Sequence, residues 1–270
     1  MSEADWVPGS VPMDRPSPAR IYDYFLGGFH NFEVDREAAE RLLQVHPDVR
    51  IASCVNRAFL RRAVLFLLEQ GIDQFLDIGS GIPTAGNVHE VAQKVNPASR
   101  VAYVDIDPVA VAHSRRILHG NPRAVAIRAD ARKPEEILDH QEIRTLLDFG
   151  KPMAILLVGM LHLVPDDAEA HHTVEVLRSA VVSGSYLVLS HPSLEDVPSR
   201  FLDQINALTE SARSRYQYRP AEKIERFFEG LELFDPGLVH APLWRPEGPD
   251  DLLLDTPARA FCLAAVAHKP

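Results

Sequence analysis

Asp77-Ile78-Gly79-Ser80-Gly81 is the segment whose residue types and spacing most directly suggest chemistry. It closes Gln74–Ile78, a short apolar run of strand composition, and Gly86–Val95 downstream has helical composition. Glycines in such a turn let the backbone approach a ligand closely, beside a helix N-terminus. A dinucleotide site calls for G-x-G-x-x-G, but Thr84 stands in the third glycine's place. Asp77 would repel a pyrophosphate and attract the ammonium of a methionine moiety or a cationic sulfonium. The pattern therefore favours S-adenosylmethionine over NAD. A tight β–α turn with no ligand is the bland alternative.

Two more strand ends carry carboxylates. Asp105 ends RVAYVD, 24 residues past Gly81, where an acidic group can accept hydrogen bonds from both ribose hydroxyls. Ile106 is then placed to pack on an adenine ring. Asp107 precedes Pro108, so an N-cap role is its simpler reading. Asp130 can accept from an adenine amino group while the Ala131 N–H meets a ring nitrogen; a turn cap is the competing role for Asp130. The fourth strand runs into Gly159-Met160-Leu161-His162, where a transferred methyl and its acceptor would meet. His162 could orient the acceptor or take its proton, and His191 follows the fifth strand toward the same rim. His171 and His172 are adjacent on a helix, point apart and make a poor metal pair. No HExxH, Cys-x-x-Cys or nucleophile elbow occurs.

The elements that must position these residues alternate. Phe32–Val45 and Arg50–Gln70 have helical patterns, the latter with Val55, Phe59, Ala63, Phe66 and Leu67 at three- and four-residue spacing. Arg57, Arg61 and Arg62 read as its solvated face. After Gln74–Ile78, strands are expected over Arg100–Ile106, Ala124–Ala129, Met153–Val158 and Ser185–Leu189. Helices are expected over Pro108–His119, Pro134–Leu147 (broken near Asp139), Asp166–Val182, Pro198–Arg213 and Ala221–Glu229. Glu232–His240 and Arg259–His268 read as two final strands forming an antiparallel hairpin at the sheet edge. Strand–helix repetition implies right-handed crossovers and a mainly parallel sheet. Three parts are expected: a proline-rich leader over 1–18, a helical extension over 19–71, and a Rossmann-like core over 72–270.

The net charge of −10 makes nucleic acid a poor default partner, and a small-molecule acceptor fits better. No apolar run reaches the length of a membrane span, and the N-terminus has no signal-peptide core, so a cytoplasmic location is expected. Two cysteines in apolar surroundings, Cys54 and Cys262, suit buried thiols.

With these residues assembled, the chain resembles the actinobacterial S-adenosyl methyltransferase family first catalogued as a domain of unknown function, within the class I superfamily. The resemblance rests on Pro18-Ala19-Arg20-Ile21-Tyr22-Asp23-Tyr24-Phe25-Leu26-Gly27-Gly28, Asn31-Phe32, Asp35-Arg36-Glu37-Ala38-Ala39, Asp77–Thr84 with Asn87-Val88-His89-Glu90, Val104–Pro108, Leu161-His162 and Trp244-Arg245-Pro246. Phe25 is a small departure from the pattern. The resemblance implies a seven-stranded class I fold and S-adenosylmethionine binding, and it leaves the acceptor open. The Tyr22–Asn31 segment, with Tyr22, Tyr24 and Asn31 as cofactor contacts, is expected to fold over the methionine end as a lid; a structural strap is the alternative. The rival functions are a non-catalytic S-adenosylmethionine sensor and a nicotinamide-dependent oxidoreductase.

Overall fold

The computed structural model describes residues 14–83, 86–193 and 216–270. Three helices come first: α1 (Pro18–Phe25), α2 (Glu33–Val45) and α3 (Val49–Glu69). The alternating core follows with β1 (Gln74–Ile78), α4 (Val88–Val95), β2 (Arg100–Asp105), α5 (Pro108–Ile117) and β3 (Ala124–Arg128). Then come α6 (Pro134–Leu138), α7 (Gln141–Leu146), β4 (Ala154–Val158), α8 (Asp167–Ala180) and β5 (Tyr186–Pro192). The chain ends through α9 (Ala221–Glu225), β6 (Glu232–Leu233), β7 (Val239–His240) and β8 (Cys262–His268). The break expected near Asp139 in Pro134–Leu147 falls at Asp139-His140, between α6 and α7. The expected helix over 198–213, the third-glycine place at Thr84 and most of the leader lie outside the described residues.

The strands form one sheet in the order β3-β2-β1-β4-β5-β8-β6, with β7 also on β8. β1 to β5 are parallel, and β8 runs antiparallel to β5. The strand expected over Glu232–His240 is split. Its first piece pairs with Ala267 and His268, its second with Leu263 and Ala264. A turn at Phe234–Gly237 separates them, closed by the Gly237 N–H on the Phe234 carbonyl at 2.7 Å. Among the described residues, eight strands thus fill seven places.

Side-chain parity divides the core. Leu76, Ile78, Val104, Ile155, Leu157, Leu187 and Leu189 face α6–α9, and Phe75, Val101, Tyr103, Ala154, Leu156 and Val188 face α3 and α4. Alternation along a strand puts Asp77 on the Phe75 side and Asp105 on the Tyr103 side. Both carboxylates therefore lie on the side of the sheet that α3 covers. On that helix the arginine reading is corrected. Arg61 is exposed and pairs with Glu247, whereas Arg62 is buried and donates to the Trp244 and Ala241 carbonyls at 3.0 and 2.8 Å. Those carbonyls need donors inside the fold, so the helix turns an arginine inward there.

The N-terminal helices are pinned to the core by buried charge. Arg20 Nε donates to Asp35 Oδ2 at 2.7 Å and its Nη1 reaches Asp107 Oδ2 at 3.3 Å. Asp107 also caps α5, accepting from the Val109 N–H at 2.7 Å, as its place before Pro108 suggests. Between α1 and α2, buried Asp23 accepts from the His30 N–H and from Asn31 Nδ2, both at 2.9 Å. Gly28 is crowded against that carboxylate, leaving no room for a Cβ. The His30 ring rests 3.9 Å from that of His113 on α5, so the loop is packed on the core.

Candidate functional site

The turn after β1 is held by its neighbour. The Gly79 and Ser80 N–H groups both donate to the Val104 carbonyl, at 2.8 and 3.2 Å. Gly79 has φ of 72°, and a Cβ there would run into Met160, so only glycine fits. The Gly81 N–H donates to Asp105 Oδ2 at 2.7 Å, and the Asp107 N–H to Asp105 Oδ1 at 2.8 Å. One carboxylate thus clasps the loops after β1 and β2 while keeping lone pairs to spare. Burial pushes its pKa up to about 6, against the pull of the Asp107 and Gly81 N–H groups. Beside it Ile106 is 53% exposed, a large apolar side chain left at the rim.

Asp77 is 4% exposed. Burial pushes its pKa up to about 7; Arg57 pulls it down and Asp105 pushes it up. Arg57 comes from α3, with its guanidinium 6.0 Å above the Tyr22 ring. It forms no contact ion pair with Asp77, and its buried Nε has no hydrogen-bond partner among the described residues.

A directed hydrogen-bond chain crosses the ends of β4 and β5. Ser190 Oγ donates to Asn56 Oδ1 at 2.6 Å, Asn56 Nδ2 donates to Tyr22 Oη at 3.1 Å, and Tyr22 Oη donates to the Ser53 carbonyl at 3.0 Å. Those partners fix the orientation of the Asn56 amide. Gly159 lies beneath it: its N–H donates to the Ser190 carbonyl at 3.1 Å, and a Cβ there would stand 2.9 Å from Asn56 Nδ2.

His162 sits on the one-turn 3-10 helix after β4, stacked on Tyr216 at 5.6 Å between ring centres. Burial, then Arg219, lower its pKa to about 4, and its buried Nδ1 has no partner among the described residues. It is therefore neutral at pH 7 and a weak base, suited to orienting a group rather than taking its proton.

Several expected contacts are turned elsewhere. Tyr24 hydrogen-bonds Glu40 on the outer side of α1, beneath Arg50. The Asn31 amide is used by Asp23, the Gly28 carbonyl and Arg36. His191 does not reach the rim: its ring is fully buried, with Nδ1 2.7 Å from the Pro192 carbonyl and Nε2 3.0 Å from Arg219 Nη1. Since Arg219 can only donate, Nε2 accepts and Nδ1 carries the proton. Asp130 accepts from the Arg132 N–H and binds its guanidinium through both oxygens, the turn-cap geometry, and Ala131 follows in that turn.

Sequence reasoning missed Asn56, Arg57, Ser190 and Arg219. Arg219 is buried and donates to the Leu161 and Val164 carbonyls at 3.0 and 2.8 Å and to Asp167 at 2.9 Å, fixing the His162 turn. A signal for the α3 pair was present: Ser53, Asn56 and Arg57 recur at helical spacing beside the apolar stripe, a polar patch facing inward.

Residues 4–270 match the model of a family described as S-adenosyl methyltransferase. The solved structure of a candidate methyltransferase from Thermobifida fusca YX is 40% identical, covers 98% of this chain and 99% of its own, and has a TM-score of 0.91. A DUF574 family protein from Streptomyces avermitilis MA-4680 is 37% identical over 96% of this chain and 99% of its own, with a TM-score of 0.88. The CurJ carbon methyltransferase shares the fold at 15% identity, with a TM-score of 0.51 over 85% of this chain and 61% of its own. No curated protein matches the chain in sequence. The sheet order, with β8 antiparallel inside an otherwise parallel sheet, is that of the class I methyltransferase fold.

Proposed function

The chain belongs to the S-adenosyl methyltransferase family, a S-adenosylmethionine-dependent enzyme, and from that premise we propose that its methyl acceptor is a small molecule bound at the ends of β4 and β5. The observation that carries this reading is the chain of uncharged polar groups there. Tyr22, Asn56 and Ser190 are hydrogen-bonded in series at the ends of β4 and β5, and His162 follows on the turn after β4, in a protein whose net charge of −10 disfavours polyanions.

The residues present suit the cofactor. At Gly81 nothing stands where a Cβ would be, which leaves that backbone open to a ligand, Asp105 has lone pairs left for ribose hydroxyls, and Ile106 offers an apolar face for adenine. Ser80 and Gly81 line the same turn, and the Ala131 N–H is assigned to an adenine nitrogen. Asp130 can serve adenine only after releasing Arg132. Asp77 is assigned to the methionine ammonium. When bound, the cofactor supplies a sulfonium methyl group for in-line displacement, a reaction governed mainly by holding donor and acceptor in line. His162 orients the acceptor through its unpartnered Nδ1. Gly159, at the end of β4 beneath Asn56, is assigned to the cofactor as well. The segment Tyr22–Asn31 acts as a strap, because Asp23 and Arg20 tie it down, and it contributes Tyr22 to the wall.

Calorimetry with S-adenosylmethionine, combined with release of S-adenosylhomocysteine over a library of small hydroxyl, amine and thiol compounds, tests this. Turnover of a small compound is the expected result. Turnover restricted to protein or nucleic acid would overturn it, and binding without any turnover would favour a sensor.

A further inference from the structure

Arg57 stacks on Tyr22 but leaves its charge unanswered among the described residues. It stands on the inner face of α3, forms no contact ion pair with them, and keeps its Nε buried without a hydrogen-bond partner there. An arginine placed there solely for stability would be expected to satisfy its donors, as Arg62 does one turn later on two carbonyls. The charge it senses is that of Asp77, which the guanidinium approaches without touching. A cation and an anion are thus held apart on the side of the sheet that faces α3, at the end of β1.

A gap between opposite charges fits a zwitterion. The amino-acid arm of S-adenosylmethionine carries an ammonium and a carboxylate on one carbon. Asp77 answers the first. We infer that Arg57 binds the α-carboxylate of the cofactor's methionine arm, making α3 and the Tyr22 strap part of the cofactor site. Guanidinium and carboxylate are matched in shape and charge, and bidentate pairing would use the idle Nε. Tyr22 supports the arginine from below: its ring faces the guanidinium, and its hydroxyl is fixed by Ser53 and Asn56. The inference rests on S-adenosylmethionine being the cofactor and goes beyond it by naming the group that recognises the arm's anionic end.

The test compares ligands that differ in the arm. S-adenosylmethionine, its decarboxylated analogue and 5′-methylthioadenosine, which lacks the arm, are titrated calorimetrically into wild type, Arg57→Gln and Arg57→Lys. The expected result is a loss of about 10- to 100-fold in affinity for S-adenosylmethionine in Arg57→Gln, with the other two ligands unchanged. Arg57→Lys should recover part of the loss. Unchanged binding of 5′-methylthioadenosine shows that the variant is folded. Equal losses for the full and decarboxylated ligands, or no loss for either, would overturn the assignment. Wild type failing to bind S-adenosylmethionine at all would instead overturn the cofactor reading.

Discussion

Asp105 Oδ2 accepts the Gly81 N–H at 2.7 Å across 24 residues of sequence, so the carboxylate assigned to ribose also holds the glycine turn in shape. The two tasks should fail together. Asp105→Ala is expected to weaken S-adenosylmethionine by about 1–3 kcal/mol. It should weaken 5′-methylthioadenosine by a similar amount, since both ligands carry the ribose. Calorimetry on both decides; a loss confined to S-adenosylmethionine would remove Asp105 from the ribose.

Asp77 predicts a pH dependence. Its pKa of about 7 means that lowering the pH below neutrality protonates it. An ammonium binds the ionised form, so affinity for S-adenosylmethionine should fall as pH drops, approaching about tenfold per pH unit well below pH 7. The stability linkage has the opposite sense. A carboxyl with a raised folded pKa contributes stability that is full below its unfolded value and is lost as pH rises through about 7. In the ligand-free protein, the Tm difference between Asp77→Asn and wild type should therefore move in the variant's favour from pH 5 to pH 8. A difference that stays flat across that range would contradict the buried, uncompensated state of Asp77.

Arg219 fixes the turn that carries His162. Arg219→Met strands the Leu161 and Val164 carbonyls and breaks the link to Asp167 and His191, at a cost of about 1–3 kcal/mol for each stranded carbonyl. Once an acceptor is known, kcat should fall while S-adenosylmethionine affinity stays near wild type, because the cofactor turn lies on β1 and β2. Denaturant melts and binding isotherms separate the two effects; a matching collapse of cofactor affinity would show that the site is not divided this way.

Arg20 anchors the strap. Its bond to Asp35 is buried, and Arg20→Met leaves that carboxylate without its cation, held only by the Ser17 and Phe32 N–H groups, costing about 3–5 kcal/mol. Limited proteolysis should then cut first between α1 and α2. Cleavage elsewhere, or none, would mean that the segment is held by other contacts.

Much of this was legible in the sequence, for a physical reason. Strand parity and glycine turns are local properties, so β1 to β5, the carboxylate ending β2 and the capping Asp107 could be read from spacing, whereas the clasp of Asp105 on Gly81 could not. The misread residues depend on distant partners. Arg62 looks like a surface residue until the Trp244 and Ala241 carbonyls, some 180 positions away, claim it. Tyr24 looks equivalent to Tyr22, but the helical turn between them points one at Glu40 and the other at Ser53. His191 follows a strand end as a rim residue would, and only Arg219 reveals that it is sealed in.

The divided seventh place of the sheet also bears on how these molecules behave in company. An uninterrupted edge strand offers a neighbour a row of unpaired N–H and C=O groups on which to extend the sheet. Here β6 and β7 are two residues each, separated by the turn at Phe234–Gly237, and both β6 side chains are exposed. Two interrupted rungs make a poor template for another chain, so this border guards against polymerisation through edge pairing.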